Sequence, residues 1–95
     1  MPTPYDFAAA DRLHQQLSLL VAKIDGLLRL RARRRQTLLG DPHSDNWEGV
    51  QRNLFEADFA RQQAALAELK STARTLQANI TEATAAAHAA RKREQ

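Results

Sequence analysis

The stretch Gly40-Asp41-Pro42-His43-Ser44-Asp45-Asn46-Trp47-Glu48-Gly49 decides the fold, because it is the polar break between two long runs of heptad-spaced apolar residues. Gly40 ahead of Asp41-Pro42 stops a helix: glycine takes the left-handed position after the last turn, and proline cannot continue the hydrogen-bond ladder. Asp45-Asn46-Trp47-Glu48 then fits a capping box, with Asp45 accepting from the third residue's N–H and Glu48 reaching back. The chain's single tryptophan therefore falls at a reversal between two helices.

Working back from the break, Pro2 and Pro4 hold the first residues out of a helix, Asp6 can cap one, and Ala8 to Ala10 favour it. Apolar residues recur at Ala10, Leu13, Leu17, Leu20, Ile24 and Leu27 in alternating steps of three and four, the period of helices packed lengthwise. Val21 and Leu28 widen this stripe to the width a bundle uses. Arg31 and Arg34 occupy its next two positions, and a shifted stripe through Leu28, Ala32 and Leu39 can continue the packing.

Working forward, Phe55, Phe59, Gln62, Leu66, Leu69, Ala73, Leu76, Ile80, Ala83, Ala87 and Ala90 keep the same alternation. Gln62 is the polar member, either fixing register or lying at a wet edge. The expected fold is all-α and one domain over residues 1–95: an antiparallel helical hairpin that dimerises into a four-helix bundle. Its helix one covers about 6–39, the turn 40–46, helix two about 46–90, and a basic tail 91–95. Folding back at the break sets Leu20 near Leu66 and Leu13 near Ala73, and leaves helix two from Ala83 onward without a partner in its own chain. A lone hairpin covers only part of each stripe, so a second hairpin is needed for the rest.

The bulk properties narrow the function classes. The 95 residues carry 14 basic and 11 acidic side chains, a net charge of +3, and no cysteine, which excludes a disulfide scaffold and thiol chemistry. Arg29, Arg31, Arg33, Arg34 and Arg35 crowd the end of helix one, and Arg91, Lys92 and Arg93 sit near the chain's end. At about 100° per residue the arginines scatter around their helix, so a solvated helix end that complements the helix dipole is the favoured reading. Contact of Arg31, Arg33, Arg34 and Arg35 with an acidic partner is a second. A basic nucleic-acid-binding helical dimer is the alternative function, and a membrane-active amphipathic hairpin a third.

Leu17 to Leu30 is the most apolar window, and Lys23, Asp25 and Arg29 interrupt it too early for a bilayer span. The opening MPTPYDFAAADR has neither a basic leader nor an apolar core, so export would need a route without a cleaved signal peptide. His14, His43 and His88 fall on helix one, the turn and the far end of helix two, too dispersed to share a metal. Ser18, Ser44 and Ser71 have no histidine–acid pair at helical spacing. No catalytic, cofactor or metal site is expected, and enzyme activity is not.

A small helical chain with Trp47-Glu48-Gly49 at its hairpin reversal, followed by Phe55, Phe59, Leu66, Leu69, Leu76 and Ile80, resembles the WXG family of Esx-type proteins. The Ala- and Arg-rich composition is similar to that of high-GC actinobacteria. The resemblance implies substrates or partners of type VII secretion, which pair as four-helix bundles and leave the cytoplasm folded through a membrane complex. Such a protein is cytoplasmic before export, then secreted or associated with the cell envelope, and meets the membrane only through the secretion complex. The resemblance makes Trp47 and Gly49 the turn half of a composite export signal, whose other half is a partner's Tyr-x-x-x-Asp/Glu tail. The tail here, EATAAAHAARKREQ, has no tyrosine, and the chain's one tyrosine is Tyr5. Either a WXG-like partner supplies that half, which favours a heterodimer over a homodimer, or the chain is an adaptor. Leu13, Leu17, Leu20, Ile24, Leu27, Phe55, Phe59, Leu66, Leu69, Leu76 and Ile80 are the expected partner-binding residues.

Overall fold

The computed structural model describes residues 4–39 and 49–94, and within them the chain is two helices, α1 (Phe7–Leu39) and α2 (Val50–Arg93). They run antiparallel as a rod with extents of 73 × 18 × 15 Å. Asp6 caps α1: its Oδ1 accepts from the Ala9 N–H at 2.9 Å, satisfying one of the free donors of the first turn. Arg91, Lys92 and Arg93 fill the last turn of α2, where cations complement the helix dipole.

The start of α2 differs from the expected capping box. Gly49 is its N-cap, with φ 60° and ψ −118° and no side-chain cap bond, so the helix begins at Val50 and not near residue 46. Asp45 and Glu48 lie outside the described residues. The expected tail at 91–95 is also revised, since α2 stays helical through Arg93.

The later start moves the register. Gln77 reaches both the His14 carbonyl and Ser18, and Gln63 reaches the Leu28 carbonyl and Arg31, which sets Leu20 level with Ala73. The expected levels of Leu66 for Leu20 and Ala73 for Leu13 are displaced by about two turns, because each residue of shift in the reversal point moves the register by two. The far end of α2 is consequently covered. Tyr5 Oη lies 2.7 Å from Thr84 Oγ1, and the Phe7 ring stacks on His88 at 4.3 Å with the Arg91 guanidinium over it at 5.9 Å. The segment from Ala83 onward does have a partner in its own chain.

Burial within the hairpin is slight. Among the described residues only Leu17, Ile24, Leu39 and Ala73 are buried hydrophobics. The Lys70 ammonium, 2.6 Å from Asp25, donates a hydrogen bond that holds the Asp25 carboxyl below its ordinary value of 3.8, against partial desolvation and helped by the charges of Lys70, Arg74 and Arg29. A lowered folded-state pKa means this contribution is full above the unfolded carboxylate range and disappears as pH falls through the folded value. Acid titration of thermal stability is therefore expected to show a step below about pH 4 that Asp25→Asn removes.

Candidate functional site

Heptad rows sort each helix into a centre and two flanks. The row Ala10, Leu17, Ile24, Arg31 of α1 meets the row Phe59, Leu66, Ala73, Ile80, Ala87 of α2 along the seam. On one flank of α2 every seventh residue is polar, in the order Glu56, Gln63, Lys70, Gln77, Thr84, Arg91. Each of them is joined to α1 or to the residues just ahead of it. Arg35 donates to both Glu56 oxygens at 2.7 and 2.8 Å, Lys70 pairs with Asp25, Gln77 donates to Ser18 Oγ at 2.6 Å, and Thr84 meets Tyr5. Gln63 Oε1 accepts from Arg31 at 2.9 Å, and Arg91 lies over the Phe7 ring. This flank is a polar ladder closed within the chain.

The opposite flank is open. It carries Leu13, Leu20 and Leu27 from α1, 38–52% exposed, and Leu69 and Leu76 from α2, 48% and 47% exposed. That the two rows share one side is fixed at the reversal end. There Arg34, the next member of the leucine row of α1, lines a 310 Å³ cleft together with Phe55 and Gln62, the first members of the α2 row. Beyond the leucines of α2 the next column outward is Ala65, Thr72, Asn79 and Ala86, all exposed and none charged. These short side chains hold no neighbouring helix at a distance, and Thr72 with Asn79 gives the apolar face a polar edge of the kind that borders protein contacts.

The expected partner-binding residues thus divide. Leu17 and Ile24 are turned inward against α2, and Phe55, Phe59, Leu66 and Ile80 are half-buried, whereas Leu13, Leu20, Leu27, Leu69 and Leu76 are exposed. The two aromatic rings stack with centroids 6.3 Å apart, and Arg31 and Arg35 lie 5.5 and 5.7 Å from the centre of Phe59. Arg31 also forks onto Gln62 and Gln63, and Arg35 is held by Glu56. Two of the four arginines assigned to an acidic partner are therefore engaged within the chain, while Arg33 and Arg34 are exposed. The dipole explanation of the cluster is also revised: the last turn of α1 contains no basic residue, and the dipole effect fades within a turn.

Gly49 matters through its backbone. Among the described residues a Cβ there would meet nothing within 4 Å, so no close approach of α1 to this position requires a glycine. Its φ of +60° does, since a side chain in that conformation costs on the order of 1–3 kcal/mol. Trp47 lies outside the described residues. Among the described residues no helix is long and apolar enough to cross a membrane, and no three His, Cys, Asp or Glu side chains are grouped to hold a metal ion. No protein-family model, curated protein or solved structure matches the chain.

The polar ladder is the feature that apolar periodicity passes over. Its signal is the seven-residue spacing of polar side chains from Glu56 to Arg91, one position beyond the Phe55-to-Ala90 row.

Proposed function

We propose that this hairpin is a pairing module similar to the WXG proteins of type VII secretion, acting through its open leucine face to form an export-competent or adaptor complex. The observation that carries the reading is the asymmetry of the hairpin: one flank satisfied by cross-helix polar bonds, the other left with five exposed leucines. A contiguous apolar face of this kind marks a protein contact more readily than a solvated surface. Trp47-Glu48-Gly49 between the two helices of a 95-residue chain supports the secretion reading through its resemblance to the WXG turn, with Gly49 supplying a backbone conformation that other residues resist. In this reading the protein resides in the cytoplasm before export and then reaches the envelope or medium.

Co-expression with type VII machinery and the small helical proteins encoded beside this chain tests the proposal. Capture of a complex is expected, together with loss of its export when Trp47 is replaced by Ala. Export unchanged by Trp47→Ala, with no complex formed, would remove the secretion reading.

A further inference from the structure

We infer that the ladder flank carries, midway along the rod, a binding site for a small phosphate monoester, built on Lys70, Ser71 and Arg74 of α2.

The site begins with an imbalance of charge. Lys70 Nζ lies 2.6 Å from Asp25 Oδ1, and the same carboxyl also feels the charges of Arg74 and Arg29. Three cations therefore surround one carboxylate, an excess of two positive charges. Lys70 and Asp25 satisfy each other. Arg29 and Arg74 are exposed and make no hydrogen bond or ion pair with a described residue. Exposed arginines by themselves are ordinary solvated charges. Arg74 differs in lining a cleft of 480 Å³, within the size range of small-molecule sites, beside Lys70 and Ser71.

Helical spacing gathers the donors. Lys70, Ser71 and Arg74 stand at i, i+1 and i+4, so they surround one patch of the α2 surface. The Lys70 ammonium carries three donors and needs only one for Asp25. The Arg74 guanidinium offers a planar fork that matches two oxygens of a phosphate. Thr75 turns its hydroxyl to the Ser71 carbonyl at 3.1 Å, whereas the Ser71 hydroxyl has no partner among the described residues. Leu28, Ala67 and Ala78 complete the lining with hydrocarbon, short enough at the alanines for a ligand to reach the helix surface.

Charge and extent select the ligand. A phosphate monoester carries about −1.5 to −2 at pH 7 and matches the excess, while a carboxylate or a sulfate ester brings a single negative charge. A nucleic-acid backbone needs cations repeated along its length. Here the two columns of α2 that bear Ser71 and Arg74 are uncharged from Ala57 to Ala67 and again from Ala78 to Ala85. Further along the flank, Arg35 is held by Glu56 and Arg91 lies over Phe7. One compact anion with a small apolar body fits this arrangement better than a polymer. The cleft is on the flank opposite the exposed leucines, so the site and the pairing reading stand or fall separately.

Titration of the isotope-labelled full chain with phenyl phosphate at low salt, followed by amide chemical shifts, tests the site. Saturable shifts confined to residues 67–78 of α2 and 25–29 of α1 are expected. Arg74→Gln should weaken binding about tenfold, the worth of a charge-assisted fork. Asp25→Asn should tighten it about threefold, because the opposing charge goes while Lys70 keeps an acceptor. Arg34→Gln, at the reversal end, should leave it unchanged. Phenyl sulfate and inorganic phosphate should both bind several-fold more weakly, the first for want of charge and the second for want of a body to rest on Leu28. No saturable shift, or shifts centred on the arginines of the reversal end, overturns the site. Binding untouched by Arg74→Gln, in a chain that circular dichroism shows to be helical, overturns its placement in this cleft. Weaker binding by Asp25→Asn, or phenyl sulfate held as tightly as phenyl phosphate, overturns the charge match. Inorganic phosphate held as tightly as its phenyl ester overturns the role of the apolar lining.

Discussion

Ile24→Ala is expected to lower the unfolding free energy by about 2–4 kcal/mol, the cost of removing a fully packed aliphatic side chain. Ile24 is 4% exposed, and it belongs to a seam with only three other buried hydrophobics among the described residues, Leu17, Leu39 and Ala73. A chain of this size with so small a core has few kcal/mol to lose, so the variant should be largely unfolded at temperatures where the native chain is still folded. Leu20→Ala makes the matching comparison, because Leu20 occupies the neighbouring row and is 38% exposed. In an isolated hairpin it should cost under about 1 kcal/mol, since much of its surface is already in water. Where a second molecule covers it, the loss should grow with protein concentration, as linkage to association demands. Urea unfolding followed by circular dichroism at several concentrations separates the two. Equal losses for both variants at every concentration would contradict the division into a closed seam and an open face.

That division also marks what the amino-acid pattern makes legible. Alternating steps of three and four place Leu17, Ile24, Leu66, Ala73 and Ile80 on faces that pack lengthwise, and the antiparallel hairpin follows from the break between them. The pattern does not say which of the two heptad rows on each helix turns inward, because Leu13–Leu20–Leu27 and Leu17–Ile24 are equally apolar. The choice is made by the polar row: Asp25, Ser18 and Arg35 of α1 find Lys70, Gln77 and Glu56 of α2 only if the helices roll toward that flank. Such pairs are individually weak. Their value lies in orientation, since the opposite roll would leave the same polar groups against leucines. Register is less legible still. It depends on where α2 begins, and the positive φ at Gly49 delays that start past the capping-box residues. The arginine cluster is misread from sequence for a related reason: its geometry around α1 is clear, but Glu56 and Gln63 emerge as its partners only with the true register.

If the polar ladder orients the hairpin, replacing it by leucine should destroy that choice. Gln63→Leu, Lys70→Leu and Gln77→Leu together remove three of its rungs at half-buried positions. Stability should change little or rise, because exchanging partly buried polar contacts for packed hydrocarbon is often neutral or favourable. Asp25 loses its ammonium partner, yet it keeps access to water and the charges of Arg74 and Arg29 nearby, so it is not stranded. The large effect is on assembly. With leucines on both flanks the rod presents two adhesive faces in place of one, and a molecule that can be contacted from both sides propagates instead of closing. Sedimentation equilibrium should then report species well above the native assembly, growing with concentration, while circular dichroism stays helical. A triple variant with the native mass would mean that the ladder merely fills space, and that the open flank owes its exposure to some other constraint on how α1 and α2 roll against each other.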